Sequence, residues 1–164
     1  MKLRCLAFCM LMVGVSSLLA EDDGNKFKAK LIGFRETPSI LSNGTGTFIA
    51  SLDRGGTSIS YAERFSGLSS SVTVSHIHFA EPGVAGMFFV FLCGGGSKPA
   101  CPAAGGTVTG TITAADVLAV PEQGITGGDF SDLLRILKSG NAYVNVHTVN
   151  HLGGEIRGQV KVDD

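Results

Sequence analysis

The stretch Val72-Thr-Val-Ser-His-Ile-His-Phe79 decides how this chain is read. It is rich in β-branched and aromatic residues. A Gly/Ser run, Ser66 to Ser71, precedes it and Glu81-Pro82-Gly83 follows it. These are strand signals with breakers on either side. Side chains alternate along a strand, so His76 and His78 project to one face with Val72 and Val74. Ser75, Ile77 and Phe79 project to the other. An H-x-H pair sets two imidazoles roughly 7 Å apart at the backbone, within reach of one metal ion.

A second stretch, Ala142-Tyr-Val-Asn-Val-His-Thr148, runs on to His151 and then to Gly154-Glu-Ile-Arg-Gly158. Tyr143, Asn145 and His147 share one face of that strand, and Val144 and Val146 share the other. All four His of the chain lie in these two stretches. His147 is therefore a candidate third ligand. His151 falls past the strand, beside Gly153-Gly154. Glu155 and Arg157 share a face. One reading is a metal site of two or three His completed by Glu155 or His151, with Zn or Cu suiting imidazole best. Another is a buried polar cluster. In it His76 and His78 bond to Glu155, Asn145 and the backbone, and Arg157 pairs with Glu155, because buried polar groups need partners. A ligand or partner contact is the third.

The rest of the chain reads as more strands. Phe27 to Gly33 begins with alternation. Thr37-Pro38 to Asn43-Gly44 is a loop. In Thr45 to Leu52, Phe48, Ala50 and Leu52 face away from Thr45, Thr47, Ile49 and Ser51. Asp53-Arg-Gly-Gly56 turns the chain into Thr57 to Phe65. Met87-Phe-Phe-Val-Phe-Leu92 is a continuous apolar run, expected as a central strand covered on both faces. Gly106 to Thr113 is Thr-rich and strand-like. Thr113-Ala-Ala-Asp116 resembles an N-cap with a short helix. Phe130, Leu133, Leu134 and Leu137 recur at helical spacing, with Asp129 or Ser131 as the cap and Gly140 as the stop. Glu155 to Val162 is the last strand. The expectation is an all-β fold, an antiparallel sandwich or Greek-key barrel of immunoglobulin or superoxide-dismutase type, with one helical insertion near 129–138.

Residues 1–20 read differently. Lys2 and Arg4 precede an uncharged apolar run from Leu6 to Leu19, and Ser16, Ser17 and Ala20 supply small residues before Glu21-Asp22-Asp23. That is the pattern of a secretory signal peptide. The run is short for a membrane span of roughly 20 residues. The expected layout is a signal peptide over 1–20, a flexible acidic leader over 21–26 and one domain over 27–162, free of the membrane once cleaved. Two of the 13 basic residues, Lys2 and Arg4, leave with the signal. Eleven then face 14 acidic ones, a net charge of −3. No Lys/Arg run is visible along the chain, which argues against a nucleic-acid partner.

Cys5 and Cys9 also fall in the signal, leaving Cys93 and Cys101. In an oxidising compartment a disulfide between them is the simplest reading, worth roughly 2–3 kcal/mol in the chain-entropy model. Asn43-Gly44-Thr45 is an N-glycosylation sequon. No G-x-S-x-G elbow is present, no carboxylate pair suits glycoside chemistry, and the Gly-Gly runs lack the context of a nucleotide loop. No catalytic residue is assigned, and a structural or binding role is expected over an enzymatic one.

Three groups of residues carry a family resemblance: Ser75-His-Ile-His78 with Gly83 and Gly86; Gly140-Asn-Ala-Tyr-Val-Asn-Val-His-Thr148; and Gly154-Glu-Ile-Arg-Gly-Gln159. Together with Lys30-Leu-Ile-Gly33, Thr37-Pro38 and Gly44-Thr-Gly-Thr-Phe48 they resemble the CHRD domain, named from chordin, over about residues 27 to 162. The resemblance implies a secreted single module of structural or binding role. Chordin antagonises bone morphogenetic proteins through separate Cys-rich repeats, and this chain has none. By analogy with the family alone, the resemblance implies an extracellular, growth-factor-type protein as the partner class. The H-x-H strand also resembles that of copper/zinc superoxide dismutase. That enzyme uses six His and an Asp for two metals, so four His could build at most a single-metal remnant, and the alternative expectation is a mononuclear Zn or Cu protein with redox or hydrolytic activity.

Overall fold

The computed structural model describes residues 25–163. The expected signal peptide, and the leader as far as residue 24, lie outside the described residues. Nine antiparallel strands and one helix follow in order. The strands are β1 (Lys26–Ile32), β2 (Thr45–Leu52), β3 (Ile59–Ser66), β4 (Val72–Phe79), β5 (Phe88–Cys93) and β6 (Gly106–Ile112). Helix α1 (Phe130–Ser139) precedes β7 (Ala142–Thr148), β8 (Ile156–Gln159) and β9 (Lys161–Val162). They form one sheet in the order β5-β4-β7-β8-β1-β2-β3-β6, with β9 added on β1. The sheet curls into a nearly closed barrel around a single core, so the all-β expectation holds.

Alternation builds that core. β1 turns Phe27, Ala29 and Leu31 inward, β2 turns Phe48 and Ala50, and β3 turns Ile59, Tyr61 and Phe65. Asp53 holds the β2–β3 turn, accepting from the backbone N–H groups of Gly55, Thr57 and Ser58 at 3.1, 2.8 and 2.7 Å. Helix α1 is capped by Asp129, which accepts from the N–H of Ser131 and Asp132, and it ends at Gly140 in the left-handed region. It buries Leu133, Ile136 and Leu137. The expected helix after Thr113 is a single 3-10 turn, Ala114–Asp116, closed by a capping box between Thr113 and Asp116. Cys93 and Cys101 are bonded at an S–S distance of 2.01 Å. Asn43 of the sequon is exposed. Among the described residues, no helix is long and apolar enough to cross a membrane.

Two strand expectations need correction. β5 lies at one end of the hydrogen-bonded order rather than at its centre. Its run is apolar throughout because Phe89, Val90 and Leu92 enter the core while, on the sheet's other side, Phe88 stacks on His76 and Phe91 packs against it at a tilt. Register shifts against β4 put Phe88 and Phe91, three apart, on the same side. The second correction concerns Val72. It pairs with Thr148 and Val74 with His147, so Thr73 is an extra residue in β4. That bulge turns Val72 into the core, away from the two His.

Candidate metal centre

In β4, Ile77 points into the barrel core while His76 and His78 point to the outer side. β7 pairs with β4 so that Asn145 lies opposite His76 and Tyr143 opposite His78. Val144 and Val146 enter the core, which leaves Tyr143, Asn145 and His147 on the histidine side. The outcome is a buried trio. His76, His78 and His147 each offer a ring nitrogen, and the three nitrogens lie within 4.8 Å of one another. Each residue is 7–8% exposed.

Hydrogen bonds fix the tautomers. His78 Nδ1 lies 3.0 Å from Gly86 O and His147 Nδ1 lies 2.9 Å from Leu152 O. A carbonyl only accepts, so both rings carry their proton on Nδ1 and present a bare lone pair at Nε2. His147 Nε2 then accepts from His76 Nδ1–H at 3.2 Å. His78 Nε2 is buried and has no hydrogen-bond partner among the described residues. Burial pushes the His76 ring down to about 3, helped by His147 and His78, and pushes His78 down to about 4. Burial lowers His147 as well. All three rings are neutral at neutral pH, the state a metal requires of its imidazole ligands.

The surrounding groups hold these rings in place. His76 stacks on Phe88 with centroids 4.2 Å apart, and His78 stacks on Tyr143 at 4.6 Å. The Arg157 guanidinium covers the Tyr143 ring, 3.4 Å from its centroid. Arg157 also donates to Thr37 Oγ1, Glu81 O and Val84 O, which ties down the segment carrying Gly86. Gln123 secures the same segment, donating to Phe79 O and accepting from Met87 N–H. A side chain at Gly86 would be forced to within 1.9 Å of Phe79 O, so the close approach that sets Gly86 O on His78 needs glycine. Gly154 has φ +120°, and a Cβ there would lie 2.3 Å from Asn145 Oδ1.

The structure places the other expected site residues elsewhere. Glu155 does not join the trio. Its carboxylate accepts from Ser42 Oγ, from Ser69 N–H and Oγ, and from Thr148 Oγ1, all within 2.9 Å. Burial alone would raise its carboxyl, but these bonds outweigh burial and hold it below its ordinary value. Glu155 precedes β8 and bonds to Val146 O through its own N–H, which turns the side chain toward the 42–44 and 69 loops rather than along Arg157's row. Arg157 therefore does not pair with Glu155. His151 closes a backbone turn with Thr148 and Gly154, and its ring is not in the trio.

The acid beside the site is Glu36, which the sequence did not single out. It is 7% exposed and accepts from Asn145 Nδ2 at 3.1 Å. Burial raises its carboxyl to about 7 against the pull of Arg157. Phe88 and Phe91 also belong to the site. Their sequence signal is an apolar run too long for a strand with one wet face. Glu36 has no comparable signal.

A family model, described as CHRD domain, matches residues 27–160. The chain belongs to the CHRD domain family, and its histidine trio and the two strands that carry it lie inside the matched region. No curated protein and no solved structure matches the chain. Membership supports a structural or binding module.

Proposed function

We propose that this chain is a secreted CHRD module that binds one copper or zinc ion through His76, His78 and His147, the ion serving structure or binding rather than catalysis. The observation that carries this reading is His78 Nε2, a buried nitrogen with no hydrogen-bond partner among the described residues, whose sister nitrogen is satisfied. A cluster built only to brace the barrel would partner it. An ion between the rings would do so. Three further features agree. With the His76 proton carried on Nε2 instead, which gives up the His76–His147 hydrogen bond, His76 Nδ1 and His147 Nε2, 3.2 Å apart, match the roughly 3.3 Å between two ligands of a tetrahedral ion with bonds of about 2.0 Å. Backbone carbonyls orient two of the rings through their far nitrogens, as outer-shell groups do for metal-bound imidazoles. The rings are also neutral. Export is supported by the sequence of residues 1–20 and by the Cys93–Cys101 bond.

A second reading keeps the trio as a brace without metal. It is favoured by the His76–His147 hydrogen bond and by the stacks on Phe88 and Tyr143. Elemental analysis separates the two, on protein recovered from the medium and purified without a metal-charged column. The metal reading expects close to one equivalent of Cu or Zn, lost in the His76→Ala, His78→Ala double variant. A preparation that is metal-free and takes up neither ion on titration would sink it. Export is checked by N-terminal sequencing, expected to begin at Glu21.

A further inference from the structure

We propose that the outer face of β9, β1, β2 and β3 is a docking surface for an acidic polysaccharide. The sequence shows no basic run, yet the sheet assembles one. Lys26, Lys28 and Lys30 alternate along β1 and are exposed, while Phe27, Ala29 and Leu31 turn inward. Lys161 on β9 lies directly opposite Lys28. Arg64 on β3 lies in the row of Lys30, with Thr47 between them. Arg35 follows β1 and is exposed. These six cations share one side of a chain whose net charge is −1.

Little offsets them. Lys28 pairs with Asp163. Lys26, Lys30, Arg35, Arg64 and Lys161 have no carboxylate within ion-pair distance among the described residues. Like charges directly opposite on neighbouring strands, as Lys28 and Lys161 are, repel. Such a face raises the local concentration of an anionic partner.

Shape narrows the partner. A cleft of about 680 Å³ opens between the Phe34–Ser39 segment and Pro82-Gly83. It shares Arg35, Gln159 and Lys161 with a second cleft of about 370 Å³. That one shares Lys30 and Thr47 with a third of about 310 Å³, which ends at Arg64 and Ser66. The three make a trough that suits a chain. Hydroxyls of Thr45, Thr47 and Ser66 stand between the cations, matching the hydroxyls of a sugar. Lysines two apart on β1 recur every ~6.7 Å, and Lys30 and Arg64 stand roughly 10 Å apart across two strand spacings. Among the described residues Glu36 is the one acid in the walls of these clefts, and its raised carboxyl thins the opposing charge. A single-stranded nucleic acid would need aromatic platforms along its path. Among the described residues Phe34, at one end, is the one aromatic side chain exposed there.

The test is independent of the metal site. Dextran sulfate, polygalacturonate and neutral dextran are titrated into the full mature chain. The two acidic polymers are expected to bind, neutral dextran not to bind, and affinity to fall at least about tenfold as salt rises from about 50 to about 300 mM. The Lys30→Glu, Arg64→Glu, Lys161→Glu triple variant is expected to lose at least about tenfold. Arg135→Glu with Lys138→Glu, on helix α1, is expected to bind as the parent does. Should the reversal unfold the chain, the Lys30→Gln, Arg64→Gln, Lys161→Gln variant carries the test, with a loss of about threefold or more. The proposal is overturned by a parent that binds neither acidic polymer or by equal losses in the two charge-reversed proteins. Tighter binding of single-stranded DNA or of phosphatidylglycerol vesicles than of dextran sulfate also overturns it.

Discussion

β7 and β3 belong to one sheet and differ in what lies over their outer faces. β3 alternates buried and exposed along its length, with Ser60, Arg64 and Ser66 in solvent. β7 is buried at every position. Its core face is apolar, but its outer face carries Tyr143, Asn145 and His147 under the segments that hold Gly86 and Leu152. Of the buried polar residues, Ser75, His76, His78, Asn145, His147, Thr148, Glu155 and Arg157 all come from β4, β7 or residues 155–157. Roofing polar groups costs free energy unless each finds a partner. A barrel needs only its inside buried. The roof over β4 and β7 is therefore where this chain spends stability on something besides folding, and the bare face of β1 to β3 is where substitution should be cheap.

The comparison breaks most visibly at Glu155. It is fully buried and accepts four hydrogen bonds that tie β7 to the loops at Ser42 and Ser69. Glu155→Ala leaves those donors unpartnered and is expected to cost about 3–5 kcal/mol. Chemical denaturation measures it. A loss under about 1 kcal/mol would mean that the roofed side is no more demanding than the open one.

The next effect is at the trio. Saturating zinc or copper, at about 100 times its dissociation constant, is expected to stabilise the parent by about 2.7 kcal/mol. The same addition should leave His76→Ala, His78→Ala where it was. Thermal melts with and without chelator read the difference. Equal melts for the parent in both conditions would leave the brace as the better account.

These two sites differ in how far the sequence disclosed them. Period-two alternation exposed β2 residue for residue and β4 from Ser75 onward, because one face of each strand must be apolar. It also selected His76, His78 and His147, since strand parity puts them on one side and antiparallel pairing joins the two strands. Parity failed where a residue was inserted. The bulge at Thr73 reversed Val72, and the shifts in β5 hid Phe88 and Phe91 as site residues. Glu155 was misplaced because parity was extended one residue beyond the strand that enforces it. The basic face was invisible for a different reason. Its cations are two apart on β1 and then scattered to residues 35, 64 and 161, and only strand pairing gathers them.

Inside the barrel, Glu63 sharpens the comparison by pH. It is fully buried, and Ser75 Oγ donates to it at 2.9 Å while its second oxygen has no partner among the described residues. Burial raises its carboxyl from 4.5 to about 8. The folded state thus holds the proton more tightly than the unfolded chain does. That contribution is complete below about pH 4.5 and is lost as pH rises through about 8. Glu63→Gln removes the titration. The variant should match the parent near pH 4 and exceed it near pH 8 in denaturant midpoint. A difference that does not change with pH would show that the carboxyl stays ionised in the fold.

The smallest effects belong to the open face. Lys30→Ala, Arg64→Ala and Ile49→Thr each alter a side chain that points to solvent on β1, β3 or β2. None of the three makes a side-chain hydrogen bond or ion pair that the fold depends on among the described residues. Each should shift stability by less than about 0.5 kcal/mol, and the two charge removals should be neutral or slightly stabilising because they relieve repulsion along the basic row. Denaturation at low and high salt tests this. Removing Lys30 or Arg64 should help at low salt and do nothing at high salt, where the Debye length falls to about 3 Å. A loss of more than 1 kcal/mol from either would make the row a structural element of the barrel. A neutral result leaves the concentration of charge there without a folding reason, and that is what a surface kept for an anionic partner requires.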